Sequence, residues 1–228
     1  MIKDFGISFT AWNILNLIVM NLRLPDSHLK REDYLDMRNR IVSFFHGFMA
    51  LFLAGYHTYF LHSECGLPNT RLEYLTAMNS CGYFAYDLVA MAYFGLLDRG
   101  MLLHHSMCVF GFAAAIIENT GLSFTLMGLF VAEVSNPIMH VRMVIKHLGK
   151  RYTKSYEYCE VTYICKFIFL IFTYANLVLF TYGRIILGTS LLVKTVLCSS
   201  NNIMVRIAAV AILFQSYFYI HRMIKILQ

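Results

Sequence analysis

Apolar residues run along this chain in seven long blocks, at about residues 5–20, 41–63, 74–97, 101–117, 121–145, 161–183 and 203–220, with short polar stretches between them. Most blocks approach the roughly 20 residues an α-helix needs to cross a bilayer, so the pattern predicts an all-α, polytopic membrane protein of about seven transmembrane helices. The first and fourth blocks are short and are expected to tilt or to extend at their ends. The first is read as a helix and not as a signal peptide, because Trp12, Asn13 and Asn16 interrupt its apolar run. A moderately apolar stretch at 185–198 is expected to lie at the interface or to re-enter. The longest polar stretch, 21–40, contains Pro25 and is expected to link the first helix to the rest, with room for a short surface helix.

Composition agrees with this pattern. Hydrophobic residues make up 58% of the 228 positions and charged residues only 14%, against about 25% charged in soluble domains. A disordered chain is excluded, and a soluble enzyme would have no core large enough to hide this much apolar surface. The net charge of +6 would suggest nucleic acid in a soluble protein. Here the basic residues sit in loops without interleaved aromatics, so nucleic acid is not an expected partner.

Loop charge instead sets an orientation. One side holds four basic residues (Lys3, Arg71, Arg184, Lys194). The other holds twelve: Arg23, Lys30, Arg31, Arg38, Arg40, Arg99, Lys146, Lys150, Arg151, Lys154, Arg222 and Lys225. The richer side, with the C-terminus, is expected to be cytoplasmic, or the matrix side in a mitochondrion, and the N-terminus to face the other way. An odd number of spans agrees with that. No Gly-rich phosphate loop or dinucleotide fingerprint is present, and no cofactor is expected.

Ionisable groups at bilayer depth are costly and tend to face a bundle interior. His46 and His57, eleven residues apart, share one face of the second block. Asp87 lies deep in the third, and His104 and His105 are adjacent in the fourth. Glu133, Asn136, Pro137 and His140 form one stripe in the fifth, with a kink expected at Pro137. Lys166 and Arg206 are expected to snorkel. One reading is a shared internal site of Asp87, His104, His105 and Glu133, with His46, Asn136 and His140 in the same polar cluster. A His beside a carboxylate there would act as base or nucleophile. The other reading is helix-to-helix glue, which periodicity alone favours. Adjacent helical positions diverge by about 100°, so His104 and His105 do not readily ligate one ion and no metal is expected.

Of the six cysteines, Cys65, Cys81, Cys108, Cys159, Cys165 and Cys198, none forms a Cys-x-x-Cys pair. Cys81, Cys108 and Cys165 lie within apolar runs and are expected to behave as small hydrophobes. Cys65 and Cys198 lie on the same side in or near loops. A bridge is geometrically possible there but is not expected, because loop proximity is not set by sequence.

Four motifs in order carry a family resemblance. Arg40-Ile-Val-Ser-Phe-Phe-His46 resembles the opening of the TLC domain of ceramide synthases and their relatives. Tyr83-Phe-Ala-Tyr-Asp87 resembles its second motif, His104-His105 its paired histidines, and Ala132-Glu-Val-Ser-Asn-Pro137 the Glu-Leu-Ser-Thr-Pro element of the non-synthase branch. Order and spacing agree from about residue 38 to about 222. The resemblance implies six helices in a ring around a lipid-sized cavity, preceded by one extra helix. It divides the chain into residues 1–37 (helix and linker), 38–222 (TLC-like membrane domain) and 223–228 (tail).

Ceramide synthases join a fatty acyl-CoA to a long-chain base, and their pattern adds a later His-Asp and a second Asp three residues on. Here those positions are Ala132-Glu133 and Asn136, so one carboxylate survives and the third histidine is lost. If the chain were active, His104, His105, Glu133 and Asp87 would carry the chemistry. Three functions stay open. The first is a non-catalytic protein that binds or senses a membrane lipid in its cavity and influences membrane lipid composition. The second is an accessory subunit of a larger membrane complex, for instance in the mitochondrial inner membrane. The third is an acyl-CoA-dependent acyltransferase. An intracellular membrane is expected, with endoplasmic reticulum and mitochondrion both open.

Overall fold

The computed structural model describes residues 1–24, 29–61, 64–152 and 160–227, with side chains described in these ranges except at 149–152, 160–169 and 222–227. The expectations for Pro25, Lys150, Arg151, Lys154, Cys159, Cys165, Lys166, Arg222 and Lys225 lie outside the described side chains.

The described residues build nine α-helices: α1 (Ile2–Asn21), α2 (Arg31–Phe60), α3 (Arg71–Phe94), α4 (Arg99–Ile117), α5 (Leu122–Glu133), α6 (Asn136–Tyr152), α7 (Glu160–Phe180), α8 (Gly188–Leu197) and α9 (Ile203–Leu227). A π-helical segment, Thr181–Leu187, joins α7 directly to α8. These elements form seven rods, because α5 and α6 continue one another, as do α7, the π segment and α8. Five rods are long and apolar enough to cross a membrane: α2, α4, α5 with α6, α7 with α8, and α9. The chain is an all-α, multi-pass membrane protein.

Local chemistry sets the ends. Thr70 and Glu73 cap α3 reciprocally, the Thr70 side chain accepting from Glu73 N and the Glu73 side chain from Thr70 N. Gly95, at φ 73°, closes the same helix in the left-handed conformation. The Asp98 side chain accepts from Met101 N at 2.8 Å to start α4. Pro137 interrupts the fifth rod as its sequence predicts. It has no N–H to donate and its ring collides with the carbonyl four residues back, that of Glu133, where α5 ends.

Six rods form a closed circuit: α2 against α3, α3 against α4, α4 against α9, α9 against α8, α8 against α5, and α5 with α6 against α2. α1 packs outside the circuit on α3 and α2. The close approach is made possible by Gly82, where a Cβ would stand 2.9 Å from the backbone nitrogen of Phe9 and collide with the Ser8 hydroxyl. Trp12 anchors it further, donating from Nε1 to the Asn79 carbonyl at 3.2 Å. Thus α3 is covered by α1, α2, α4 and α5, and its polar side chains face protein. Bulky apolar residues such as Phe52, Tyr93, Phe110 and Phe214 line the outer surface instead.

Three expectations are corrected. Residues 31–40 form no separate surface helix; they are the first turns of α2. Residues 185–198 form no separate re-entrant segment, since the helix runs unbroken from Leu170 to Leu197. Cys65 and Cys198 are bridged, with Cα atoms 5.6 Å apart. The bridge was not legible because packing of α4 and α5 against α8 and α9 brings together loops 133 residues apart in sequence.

Candidate functional site

A cavity of about 110 Å³ opens between α4, α5, α8 and α9. Its walls are apolar: Phe84, Phe112, Phe124, Leu129, Leu191, Leu192 and Ile212 among others. Small residues at Gly111, Gly128, Gly188 and Ala208 leave the space. Three hydroxyls in the lining are turned onto their own helices. Thr125 donates to the Gly121 carbonyl, Thr195 to that of Leu191 and Ser216 to that of Ile212, each at 2.8 Å. Two stronger polar groups remain in the wall, His104 and Arg184.

Arg184 is placed by the π segment. An extra residue in the helix re-aims the side chains around it, and Gly183 permits contact with α5, since a Cβ there would lie 3.0 Å from the Val131 carbonyl. The guanidinium donates from Nε and Nη2 to the Ala132 carbonyl at 3.2 and 2.8 Å, and from Nη2 to Asn136 Oδ1 at 3.3 Å. It also lies over the Phe180 ring, 5.2 Å from the centroid. The Ala132 carbonyl is available because it belongs to the last turn of α5, where carbonyls lack intrahelical partners and a cation is favoured. Arg184 is only 7% exposed, and no carboxylate among the described residues forms an ion pair with it.

A buried polar network lies beside the cavity, between α2, α3 and α4. Asn39 donates to Asp87 Oδ1 at 2.8 Å and accepts from the Tyr86 hydroxyl at 3.2 Å. Asp87 Oδ2 is 3.3 Å from His105 Nδ1, an ion-pair distance at an angle too poor for a hydrogen bond. His46 stacks on Tyr83 at 3.7 Å and lies 3.2 Å from the Ser80 hydroxyl. Phe84 separates the two regions: it lines the cavity and also packs against His46 and His105 at 5.2 and 5.3 Å.

A model of the TLC domain matches residues 36–226. The chain belongs to the TLC-domain family. No solved structure matches it. The match spans α2 to α9 and leaves α1 outside, and membership makes this a membrane protein concerned with lipids.

Within the TLC domain, His104 and Ala132 line the cavity, and Asn136 reaches it through Arg184. Asp87, His105 and His46 belong to the neighbouring network. Glu133 is buried on the α2 side, where a Cβ on Gly47 would stand 3.0 Å from its Oε2. His140 is buried, and its Nδ1 has no hydrogen-bond partner among the described residues. Six of the seven side chains are buried and Asn136 is half-buried, but they do not line one common space. Among the described residues no three His, Cys, Asp or Glu side chains converge as metal ligands.

Arg184 is the residue that sequence reasoning misplaced, in a loop on the poorly basic side. A signal existed: apolar residues run on both sides of it, from 161 to 183 and again from Ile185. Arg206, expected to snorkel, donates to the Cys198, Ser199 and Asn201 carbonyls and so closes the end of α8.

Proposed function

We propose that this TLC-domain protein binds a membrane lipid in the α4–α5–α8–α9 cavity without transforming it, and through that binding influences membrane lipid composition. One observation carries the reading. The two positions at which the chain lacks the ionisable side chains of the synthase pattern, Ala132 and Asn136, both hold Arg184, Ala132 through its backbone carbonyl and Asn136 through its side chain. Ala132 exchanges no proton, and Asn136 has no charge to stabilise an imidazolium. Acyl transfer to an amine needs a positioned base or nucleophile and a group to orient it. His105 and Asp87, which form such a pair, lie beyond Phe84 and outside the cavity lining. What the cavity does offer is an apolar wall and one fixed cation, the elements of a binding site.

The test is mass spectrometry and native gel electrophoresis of gently solubilised protein, with a turnover assay using acyl-CoAs and long-chain bases. A small species carrying one lipid and no turnover is expected. Migration exclusively in a large stoichiometric complex, lipid-free, would favour an accessory subunit. Turnover abolished by His105→Ala would establish the enzyme.

A further inference from the structure

We infer that the cavity selects a single-chain amphiphile with an anionic oxygen headgroup, a carboxylate or a phosphate, and that Arg184 is the group that recognises it. This deepens the lipid-binding reading and rests on it.

Arg184 has three nitrogens, of which Nε and Nη2 are taken by the Ala132 carbonyl and the Asn136 side chain. Nη1 has no hydrogen-bond partner among the described residues, and the side chain lines the cavity. Both acceptors are neutral, so the guanidinium keeps its charge in an apolar surrounding. A buried cation without a counter-charge is unfavourable unless an anion completes it. Glu133 adjoins Ala132, the residue whose carbonyl Arg184 holds. Yet its carboxylate packs toward Gly47 of α2, it is not part of the cavity lining, and it forms no ion pair with Arg184. The counter-charge therefore comes from the occupant. A planar guanidinium held by two of its nitrogens presents the third in a fixed direction, which suits a carboxylate or phosphate oxygen.

The cavity's shape sets the rest of the ligand. Its lining on α9 runs from Val205 to Ser216, eleven residues further on, or about 16 Å at 1.5 Å per residue. Gly188, one turn beyond Arg184, lies against Leu213, and Gly100, one turn before His104, against Gln215, which sets both polar groups toward Ser216; toward Val205 the wall is hydrocarbon except for Thr125 and Thr195, whose hydroxyls are already bonded to backbone. A volume of 110 Å³ is several times the roughly 15 Å³ that one water requires. It is narrow for two chains and suits one, with the charged end at Arg184 and the tail along α8 and α9.

The experiment measures binding of four amphiphiles of equal chain length to the purified full chain in detergent: a fatty acid, a fatty alcohol, a lysophosphatidic acid and a lysophosphatidylcholine. At least one of the two anionic lipids is expected to bind about tenfold or more tightly than the alcohol, the scale of one charge-assisted hydrogen bond. The acid and the lysophosphatidic acid distinguish the two anion sources. Arg184→Gln is expected to abolish the preference and Arg184→Lys to keep part of it. Asn136→Asp, which sets a carboxylate against the guanidinium, is expected to weaken anion binding more than alcohol binding. Equal affinity for alcohol and both anions would overturn the inference and leave lipid binding standing. So would tighter binding of the zwitterion than of either anion. Binding of none of the four would overturn both.

Discussion

The guanidinium of Arg184 donates to the side-chain oxygen of Asn136 at 3.3 Å, tying the π segment of one rod to the first residue of α6 in another. The same guanidinium holds the last turn of α5 through Ala132. One side chain thus spans the break that Pro137 imposes. Asn136→Ala removes a bond to a charged partner and is expected to cost about 1–2 kcal/mol, read as a lower thermal unfolding midpoint in detergent. Ala132→Gly, which keeps the accepting carbonyl, is expected to leave the Arg184 bond in place. An equal loss in both variants would argue that helix propensity, not this bond, sets the effect.

The Cys65–Cys198 bridge closes 133 residues of chain and lies on the side with few basic residues. Disulfides persist in oxidising compartments, so the loops that carry it are expected to face a lumen or the cell exterior, opposite the basic loops. Without reduction, neither cysteine should react with a thiol reagent in denatured protein; after reduction both should. Cys65→Ser is expected to lower stability by about 2–5 kcal/mol. Alkylation of both without reduction would refute the bridge.

Gly82 sets the docking of α1. Any side chain at that position meets the Phe9 backbone nitrogen at 2.9 Å, and backbone does not swing aside as a side chain does. Gly82→Val is expected to cost about 1–3 kcal/mol by overpacking and to raise hydrogen exchange in α1 ahead of the other helices. Uniform protection across all helices would show that α1 docks without this contact.

Asp87 holds α2 to α3 through Asn39 and faces His105 on α4. Asp87→Ala leaves the Asn39 amide buried without its acceptor, at about 1–3 kcal/mol. The double variant Asp87→Ala, Asn39→Ala is expected to cost less than the sum of the two single changes. Additive losses would mean that the two groups do not interact.

Glu73 gathers three helices at the opposite end of α3. It lies 2.7 Å from His57 Nε2 on α2 and accepts from the Ser123 hydroxyl of α5 at 2.5 Å, while its second oxygen accepts from Thr70 N at 2.6 Å. Glu73→Ala removes all three contacts and is expected to destabilise by about 3 kcal/mol or more, because the Thr70 amide, the Ser123 hydroxyl and the His57 ring all lose their buried partner. Ser123→Ala removes one contact and should cost about 1–2 kcal/mol. A smaller loss for the Glu73 variant than for the Ser123 variant would contradict this arrangement.

Much of this protein is determined by local sequence. Seven helical rods follow from seven apolar blocks, because in a bilayer the backbone satisfies its hydrogen bonds only within each helix, so length and apolarity alone specify a span. The break before Pro137 follows from a missing N–H, and family membership from four motifs in order. The tertiary structure decided what depends on partners far along the chain. Arg184 reads as a loop residue until the π segment carries the helix past it and α5, some 50 residues earlier, supplies its acceptors. Cys65 and Cys198 become partners only when their loops meet. His104 and His105, neighbours in sequence, part company at Phe84, one lining the cavity and the other facing Asp87, because successive positions on a helix point about 100° apart. The period of a helix says which residues share a face. Only the packing of the other rods says whether that face meets lipid, cavity or a buried network.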